Sequence, residues 1–244
     1  RMKIAIVGTG ISGMVAAYLL QPVHDITVFE ANDYVGGHTH TIPVNDNGQT
    51  LPVDTGFIVY NDWTYPNFIQ LLTRLGVASL PTEMSFSLRC DRTELEYNGT
   101  SLNGLFAQRS NLFSPSFYRL LRDILRFNRE SLAVLTDTKE DLTVDEYLRR
   151  ERYSRQFAEQ YLIPMGAAIW SCPTGTFARF PIRFIAEFYR NHGLLNLKDR
   201  PTWRYVVGGS RTYVRAITRN FVDRIRLQTP VVQVQRREGR MLVH

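Results

Sequence analysis

The sequence of 244 residues has very little cysteine and almost no lysine. Its two cysteines, Cys90 and Cys172, exclude a disulfide framework and a cysteine-based metal site, so we expect a reducing, cytoplasmic setting. Long hydrophobic runs are also absent, and no stretch approaches the roughly 20 apolar residues that cross a bilayer. Apolar residues make up 44% and charged residues 21% of the chain, which is the balance of a globular protein with a buried core.

Because lysine is scarce, 26 arginines carry most of the positive charge, and the formal net charge is +6. A genomic preference for arginine codons explains this, and since no nucleic-acid-binding motif accompanies the charge, no nucleic-acid partner is expected. In one predicted helix, spacings of three and four place arginines on a single face, namely Arg119, Arg122, Arg126 and Arg129. The opposite face is predicted to be apolar, with Phe117, Leu120, Leu121, Ile124 and Leu125. We interpret the arginine face as solvated; the alternative is peripheral contact with an anionic membrane or an acidic partner.

A glycine-rich loop near the start is the most informative motif. Residues 4–13 read Ile-Ala-Ile-Val-Gly-Thr-Gly-Ile-Ser-Gly, which predicts a strand, a tight loop and the start of a helix. Gly8 permits the turn, Gly10 lets a pyrophosphate approach the backbone, and Gly13 lets the helix pack on the strand. The helix N-terminus offers N–H groups to phosphates, and Glu30 ends the next strand where a ribose hydroxyl needs an acceptor. The motif therefore predicts a dinucleotide site.

The order of predicted elements gives the fold class: α/β, with a GxGxxG dinucleotide-binding Rossmann domain interrupted by a mostly helical substrate or cap domain. The interrupted domain is predicted over 1–60 and 205–244, and the helical domain over 61–204. Strands are predicted to return near the end, at 225–227, 231–234 and 241–243.

Helices of the inserted domain are predicted from their first residues, which are Ser114, Thr143, Ser154 and Pro181. The third of these should break or kink at Pro164, because proline lacks the N–H that a helix interior requires. The fourth should turn its aromatic and β-branched residues inward, namely Phe184, Ile185 and Phe188.

Further motifs follow the glycine loop in a fixed order: Glu30-Ala31, Gly36-Gly37, Asp54-Thr55-Gly56-Phe57, Gly208-Gly209-Ser210 and Thr229-Pro230-Val231. In this order they resemble the amino-terminal part of the flavin-containing amine oxidase superfamily, which includes monoamine and polyamine oxidases, protoporphyrinogen oxidase and carotenoid desaturases. The stretch from Ala168-Ile169-Trp170-Ser171 to Tyr213 is most similar to the bacterial predicted flavin-containing amine oxidase subgroup, whose members are associated with enzymes that modify unsaturated fatty acids.

The resemblance implies a glutathione-reductase-like fold, FAD as cofactor and hydride transfer from a substrate carbon to flavin N5. The substrate it implies is a small molecule or a lipid-like, unsaturated acyl chain. The residues it assigns to FAD are Gly8, Gly10, Ile11, Ser12, Gly13, Glu30, Ala31, Gly36, Gly37, His38, Thr55, Gly56, Phe57 and Val231. It assigns no catalytic residue, because the carboxy-terminal part of the family has no counterpart here. The chain is expected to be a fragment, and the alternative is a short member of the family that has lost catalysis.

Aromatic and histidine residues complete the candidates. Phe57, Tyr60 and Trp170 are predicted near the flavin or an apolar substrate cavity. His38 and His40 have no third ligand nearby, so no metal site is expected. The alternatives to a flavoenzyme are a non-catalytic dinucleotide-binding or membrane-surface protein, and an NAD(P)-dependent enzyme.

Overall fold

The computed structural model describes residues 1–136 and 141–244. These residues form two compact units, Arg1–Thr82 with Thr202–His244, and Glu83–Pro201. We call the first the split unit and the second the helical unit. The predicted α/β class is confirmed. The split unit also includes residues 61–82, which the sequence assigns to the helical domain, and the predicted boundaries at 60 and 205 stay a prediction.

The strands are, in chain order, β1 Lys3–Val7, β2 Asp25–Phe29, β3 Thr41–Asp46, β4 Gln49–Asp54, β5 Tyr60–Asn61, β6 Ser79–Thr82, β7 Ser87–Cys90, β8 Leu95–Asn98, β9 Trp203–Val206, β10 Ile225–Arg226, β11 Val234–Arg237 and β12 Arg240–Val243. The α-helices are α1 Ile11–Leu20, α2 Pro66–Leu75, α3 Leu102–Leu105, α4 Pro115–Glu130, α5 Val144–Arg150, α6 Arg155–Phe157, α7 Ile163–Ile169, α8 Thr174–Phe177, α9 Ile182–Asn191 and α10 Arg211–Thr218. Within these described residues, none of the helices combines the length and the hydropathy needed to cross a membrane.

The split unit begins with a parallel β-α-β arrangement. β1 pairs with β2 in parallel from Lys3 opposite Asp25 to Val7 opposite Phe29, and β10 adds to the other edge of β2. Alternate β-branched side chains of these strands pack under α1, where Ala17 is fully buried, and this small residue keeps the helix close to the sheet. As a result the loop between β1 and α1 lies at the carboxyl edge of the parallel strands.

A second core of the split unit joins α1 to the later elements. Buried side chains of α1, α2, β5, β9 and α10 form it, namely Met14, Leu72, Tyr60, Val206, Tyr213, Val214 and Ile217. The antiparallel hairpin β3–β4 turns at Asn47 and Gly48, as its sequence predicts. β5 and β6 both pair with β9 in antiparallel fashion, so the returning chain is anchored between two earlier strands.

The helical unit is built on aromatic residues at helical spacing. Its fully buried side chains include Leu120, Phe127, Phe157, Leu162, Phe177 and Ile185. Side chains of Ser114, Thr143 and Ser154 accept hydrogen bonds from the first turns of α4, α5 and α6, which is the capping that the sequence predicts. These caps set where each helix begins.

Several local expectations need correction. The break or kink at Pro164 takes the form of a π-helical turn over Ala158–Leu162, because a widened turn accommodates the missing N–H. The strand predicted at 231–234 is shifted along the chain: the strand itself runs over Val234–Arg237, and Gln233 exchanges backbone hydrogen bonds with His244 just before it. Leu125 and Phe184, predicted to point inward, are exposed, because their helices bury faces centred on other residues.

Candidate cofactor-binding site

The glycine loop between β1 and α1 has two glycines that the fold itself requires. Gly8 has φ +90°, a left-handed conformation that a side chain disfavours, and its N–H donates to Phe29 O at 2.7 Å. A Cβ on Gly13 would lie 2.0 Å from Gly8 O. The first turn of α1 therefore sits directly against the loop, and only glycine permits this approach.

Gly10 differs from both, because nothing in the protein requires a glycine there. It is the N-cap of α1, with φ −62° and ψ 172°, which any residue adopts, and a Cβ would meet no atom within 4 Å. Helices prefer a Ser, Thr, Asp or Asn at this position because a side chain can accept a first-turn N–H. The loop thus leaves both open space and first-turn N–H groups, at Ile11 and Ser12, beside a positive helix end. This combination fits a phosphate group that approaches the backbone closely.

Glu30 lies beneath this loop and is 4% exposed. Its Oε2 accepts hydrogen bonds from Thr9 N at 2.8 Å and from the Thr9 hydroxyl, and its Oε1 accepts from Asn32 N at 2.9 Å. Burial raises the pKa of this carboxyl, but the hydrogen bonds from Asn32 and Thr9 outweigh burial and hold the pKa below its ordinary value. Glu30 is therefore ionised at neutral pH and is a strong hydrogen-bond acceptor.

Thr9 is the site residue that the sequence does not reveal. It lies between the first two glycines, at a position that the glycine motif leaves unspecified, yet it is fully buried. Its hydroxyl donates to Glu30 and accepts from Gly36 N at 3.1 Å, so one side chain joins the loop, the acid and the second glycine pair. In the sequence Thr9 looks like any residue between two glycines, because its burial is visible only in the structure.

The second glycine pair packs onto the first loop. Gly36 and Gly37 have φ +133° and +61°, and a Cβ on Gly37 would lie 2.8 Å from Gly10 Cα. Thr39 N donates to Gly36 O at 3.0 Å and closes the turn. Two glycine segments that are 27 residues apart in the chain therefore form one surface around Gly10.

The Asp54-Thr55-Gly56 segment joins this surface to the returning chain. Thr55 N donates to His40 O at 2.9 Å, and a Cβ on Gly56 would lie 1.8 Å from His38 O, so the two predicted segments run side by side. The Asp54 carboxylate accepts from Ser210 N at 2.9 and 3.0 Å and from Ser210 Oγ at 3.1 Å. Asp54 thus caps the N-terminus of α10.

The segment of Val231 lies beside that of Ala31. Thr229 N donates to Glu30 O at 2.8 Å and Gln228 N donates to Asn32 O at 2.9 Å. Ala31 is exposed and Val231 is half-buried. The structure therefore brings the predicted adenosine-side residues together at the end of β2.

The rings of the aromatic candidates pack against other aromatic or buried side chains of their own units. Tyr60 is buried and donates to Ser79 Oγ at 2.7 Å, so it belongs to the core rather than to a cavity wall. The Phe57 ring packs edge-on against Phe68, with ring centroids 5.4 Å apart, and only the Phe57 backbone remains near Ser210. Trp170 belongs to the helical unit, where it packs on Phe188 at 4.6 Å.

Neither histidine of the His-x-His pair takes part in a metal group. His40 Nδ1 lies 3.1 Å from Thr55 Oγ1 and its ring lies 4.5 Å from that of Tyr34, whereas His38 is exposed. Across residues 1–136 and 141–244, no three His, Cys, Asp or Glu side chains are grouped as metal ligands.

An open cavity of about 650 Å³ runs along α1 and α2 in the split unit. It starts at Ile11, next to the glycine loop, and its walls are mainly apolar, with Val15, Leu19, Phe68 and Leu71 among them. The sequence does not indicate this cavity, because it depends on how the two helices pack.

Comparison with known proteins gives a consistent result. A model of the family described as flavin containing amine oxidoreductase matches residues 11–244. The structure of cyclohexylamine oxidase from Brevibacterium oxydans matches with a TM-score of 0.69 and 20% identity, over 99% of this chain and 54% of that one. Wild-type putrescine oxidase bound to putrescine matches with a TM-score of 0.66 and 20% identity, over 100% of this chain and 54% of that one.

At the sequence level, tryptophan 2-monooxygenase of Allorhizobium ampelinum is 51% identical over 41 residues, which are 16% of this chain and 6% of that protein. This chain spans about half the length of the solved structures it matches and a small part of the monooxygenase.

Proposed function

Because this chain belongs to the family of flavin-containing amine oxidoreductases, we propose that it is the FAD-binding part of an oxidoreductase that moves a hydride from a substrate carbon to the flavin. The membership confirms the family resemblance predicted from the sequence and, with it, the predicted flavin cofactor. We further propose that the split unit is a glutathione-reductase-like Rossmann domain into which the helical domain is inserted.

The observation that carries this proposal is the space at Gly10. Neither the packing of the protein nor its backbone conformation requires a glycine at position 10. A ligand that approaches the backbone closely does require one. The surroundings agree, because the first turn of α1 presents N–H groups and a positive dipole end beside Gly10, and Gly37 packs against Gly10 Cα. A pyrophosphate carries the complementary charge.

Different residues of the chain would then bind different parts of the cofactor. Glu30 Oε1, which accepts from Asn32 N, would also accept from a ribose hydroxyl, while Ala31 and Val231 would flank the adenosine. The glycine loop, with Ile11 and Ser12, would hold the pyrophosphate. His38, Thr55, Gly56 and the Phe57 backbone would lie toward the flavin ring. When bound, FAD supplies the two-electron acceptor that no side chain of this chain provides.

The cofactor assignment is tested on the purified protein. We expect a yellow protein with an oxidised-flavin spectrum, and we expect FAD rather than FMN in the supernatant after denaturation. A colourless protein that FAD cannot reconstitute, but that binds NADH or NADPH, would establish the nicotinamide alternative instead. A yellow protein that no substrate class bleaches under anaerobic conditions would favour the non-catalytic alternative.

The substrate is a separate question. The sequence resemblance favours an unsaturated acyl chain, whereas the structural relatives named above are oxidases of putrescine and cyclohexylamine. Anaerobic mixing of the flavin-loaded protein with oleic or linoleic acid, and in parallel with putrescine and cyclohexylamine, separates the two. We expect bleaching of the flavin absorbance by the fatty acids; bleaching by the amines alone rejects the lipid substrate.

A further inference from the structure

The solvent-facing row of α4 mixes arginines with large apolar residues. Tyr118, Arg122, Leu125 and Arg129 follow one another at spacings of four, three and four, so they lie in one line along the helix. Leu125 is 52% exposed, and the side chains of Arg122 and Arg129 are 74% and 78% exposed. Burial on α4 is instead centred on Phe117, Leu120, Asp123 and Phe127.

Apolar exposure increases toward the N-terminus of α4. Phe113, which directly precedes the cap Ser114, is 87% exposed, and Leu112 beside it is also exposed. The Tyr118 hydroxyl donates to Leu112 O at 3.1 Å, which fixes this segment against the first turn of the helix. We call Leu112, Phe113 and the row of four residues on α4 the outer patch.

Acidic residues of α4 do not neutralise the outer patch. Asp123 is buried and its carboxylate accepts from Ser154 N at 3.0 Å. Glu130 is bound by Arg126 at 2.7 Å, and Arg126 also donates to Glu151 O at 2.7 Å and covers the Tyr153 ring at 4.3 Å. Arg126, one of the four arginines predicted to share a face, is therefore used inside the protein.

The two arginines of the outer patch keep their charge. Arg122 lies 3.7 Å from Asp123, and Arg129 lies 3.4 Å from Glu130. The Arg129 contact joins two exposed side chains, so it contributes little and is easily exchanged for other anions. The Arg122 guanidinium is itself exposed and approaches the buried Asp123 only at this long distance.

We propose that the outer patch binds the surface of an anionic lipid bilayer. Arginines attract anionic headgroups, while exposed aromatic and leucine side chains enter the boundary between headgroups and acyl chains. An acidic protein would complement the arginines but would leave Phe113 and Leu125 in water. The inference is independent of the proposed oxidoreductase function, because the outer patch lies in the helical unit and vesicle binding is measured without FAD.

Co-sedimentation with vesicles tests the proposal on the whole protein. We expect the protein to pellet with vesicles of equal parts phosphatidylglycerol and phosphatidylcholine, and to stay in solution with phosphatidylcholine alone. The double variant Arg122→Gln, Arg129→Gln should bind about 30-fold more weakly, at about fivefold per arginine. The matched control is Arg215→Gln, Arg219→Gln, which removes the same charge from exposed positions of another helix and its end, and it should bind within about twofold of the parent.

A separate variant tests whether the exposed apolar side chains contribute to vesicle binding. Phe113→Ser should weaken vesicle binding roughly tenfold, because an interfacial aromatic is lost, whereas Leu197→Ser, at another exposed apolar position of the helical unit, should not. Unaltered thermal melting of each variant shows that folding is intact. A parent protein that stays in solution with the anionic vesicles overturns the proposal. So does a Phe113→Ser protein that binds as the parent does while the arginine pair matters, since that pattern indicates attraction by charge alone, without entry of the apolar side chains into the bilayer boundary.

Discussion

Gly10 and Gly13 belong to the same glycine motif, one as the N-cap of α1 and the other in its first turn, yet different physical causes require them. Gly13 is fixed by packing, because a Cβ would overlap Gly8 O, whereas the space beside Gly10 is open. Substitution can therefore separate what the fold needs from what a ligand needs.

We predict that Gly13→Ala lowers the free energy of unfolding by about 1–3 kcal/mol, as overpacking does. Gly10→Ala should leave the stability of the FAD-free protein unchanged or slightly raised, because alanine fits its backbone angles. The same Gly10→Ala change should weaken FAD binding by about tenfold or more, since the methyl group occupies the space for the pyrophosphate. Denaturant titration and fluorescence titration with FAD measure the two effects. Unchanged FAD affinity in Gly10→Ala would contradict the site assignment.

The second prediction at this scale concerns the charge of Glu30. Its pKa is lower in the folded protein than in the unfolded chain, so the unfolded chain takes up the proton first as pH falls. Its stabilisation is therefore complete above about pH 5 and is lost as pH falls through the lowered pKa. Glu30→Gln should cost about 1–3 kcal/mol at pH 7, because hydrogen bonds to a carboxylate are replaced by an amide whose NH₂ cannot accept them.

Urea titrations of the parent protein and of Glu30→Gln between pH 3 and pH 7 measure the difference between their free energies of unfolding. It should shrink toward zero at the acid end. A difference that stays constant with pH would mean that Glu30 acts through packing and not through its charge.

At the scale of elements, the hairpin β3–β4 and helix α10 are joined by one carboxylate. Asp54 ends β4 and accepts the N–H and the hydroxyl of Ser210 together with the Thr41 hydroxyl. A helix N-terminus without such a partner has unsatisfied donors. The junction matters for the site because the adjoining Thr55-Gly56 segment borders His38 and His40.

We predict that Asp54→Ala destabilises the protein by about 1–3 kcal/mol, which is the range for a lost cap and a lost charged acceptor. Asp46→Ala, at the exposed tip of the same hairpin, should change stability by less than about 0.5 kcal/mol and serves as the control. Thermal and urea unfolding measure both. Equal effects of the two substitutions would show that the carboxylate of Asp54 does not hold α10.

At the scale of the whole molecule, the residues assigned to FAD all lie in the split unit, whereas the outer patch lies in the helical unit. We predict that saturating FAD slows amide hydrogen exchange at residues 8–14 and 36–39 and leaves α4 unchanged, because only bound groups lose their opening reactions. Exchange measured by mass spectrometry with and without FAD tests this. Protection confined to the helical unit would overturn the assignment.

Much of the local structure could be predicted because it depends on nearby residues. The caps at Ser114, Thr143 and Ser154, and the hairpin turn at Asn47 and Gly48, are set by hydrogen bonds and backbone angles within a few positions. The sequence was a poorer guide to which side of a helix is buried, and Leu125 was predicted on the wrong side. Leu125 belongs to an apolar stripe too wide to identify its centre, and the buried Asp123, which accepts from Ser154 N, shifts that centre away from it.

The sequence by itself determined the glycine loop, its strand and helix, and the acid that follows, and the ordered motifs after them identified the flavoprotein family. Only the tertiary structure decided that Thr9 joins Glu30 to Gly36, and that Asp54 holds Ser210 across 156 positions of the chain. The reason is physical: a turn or a cap is fixed by sterics and hydrogen bonds among neighbouring residues. A bond between distant segments forms only when the packing of the whole unit brings them together.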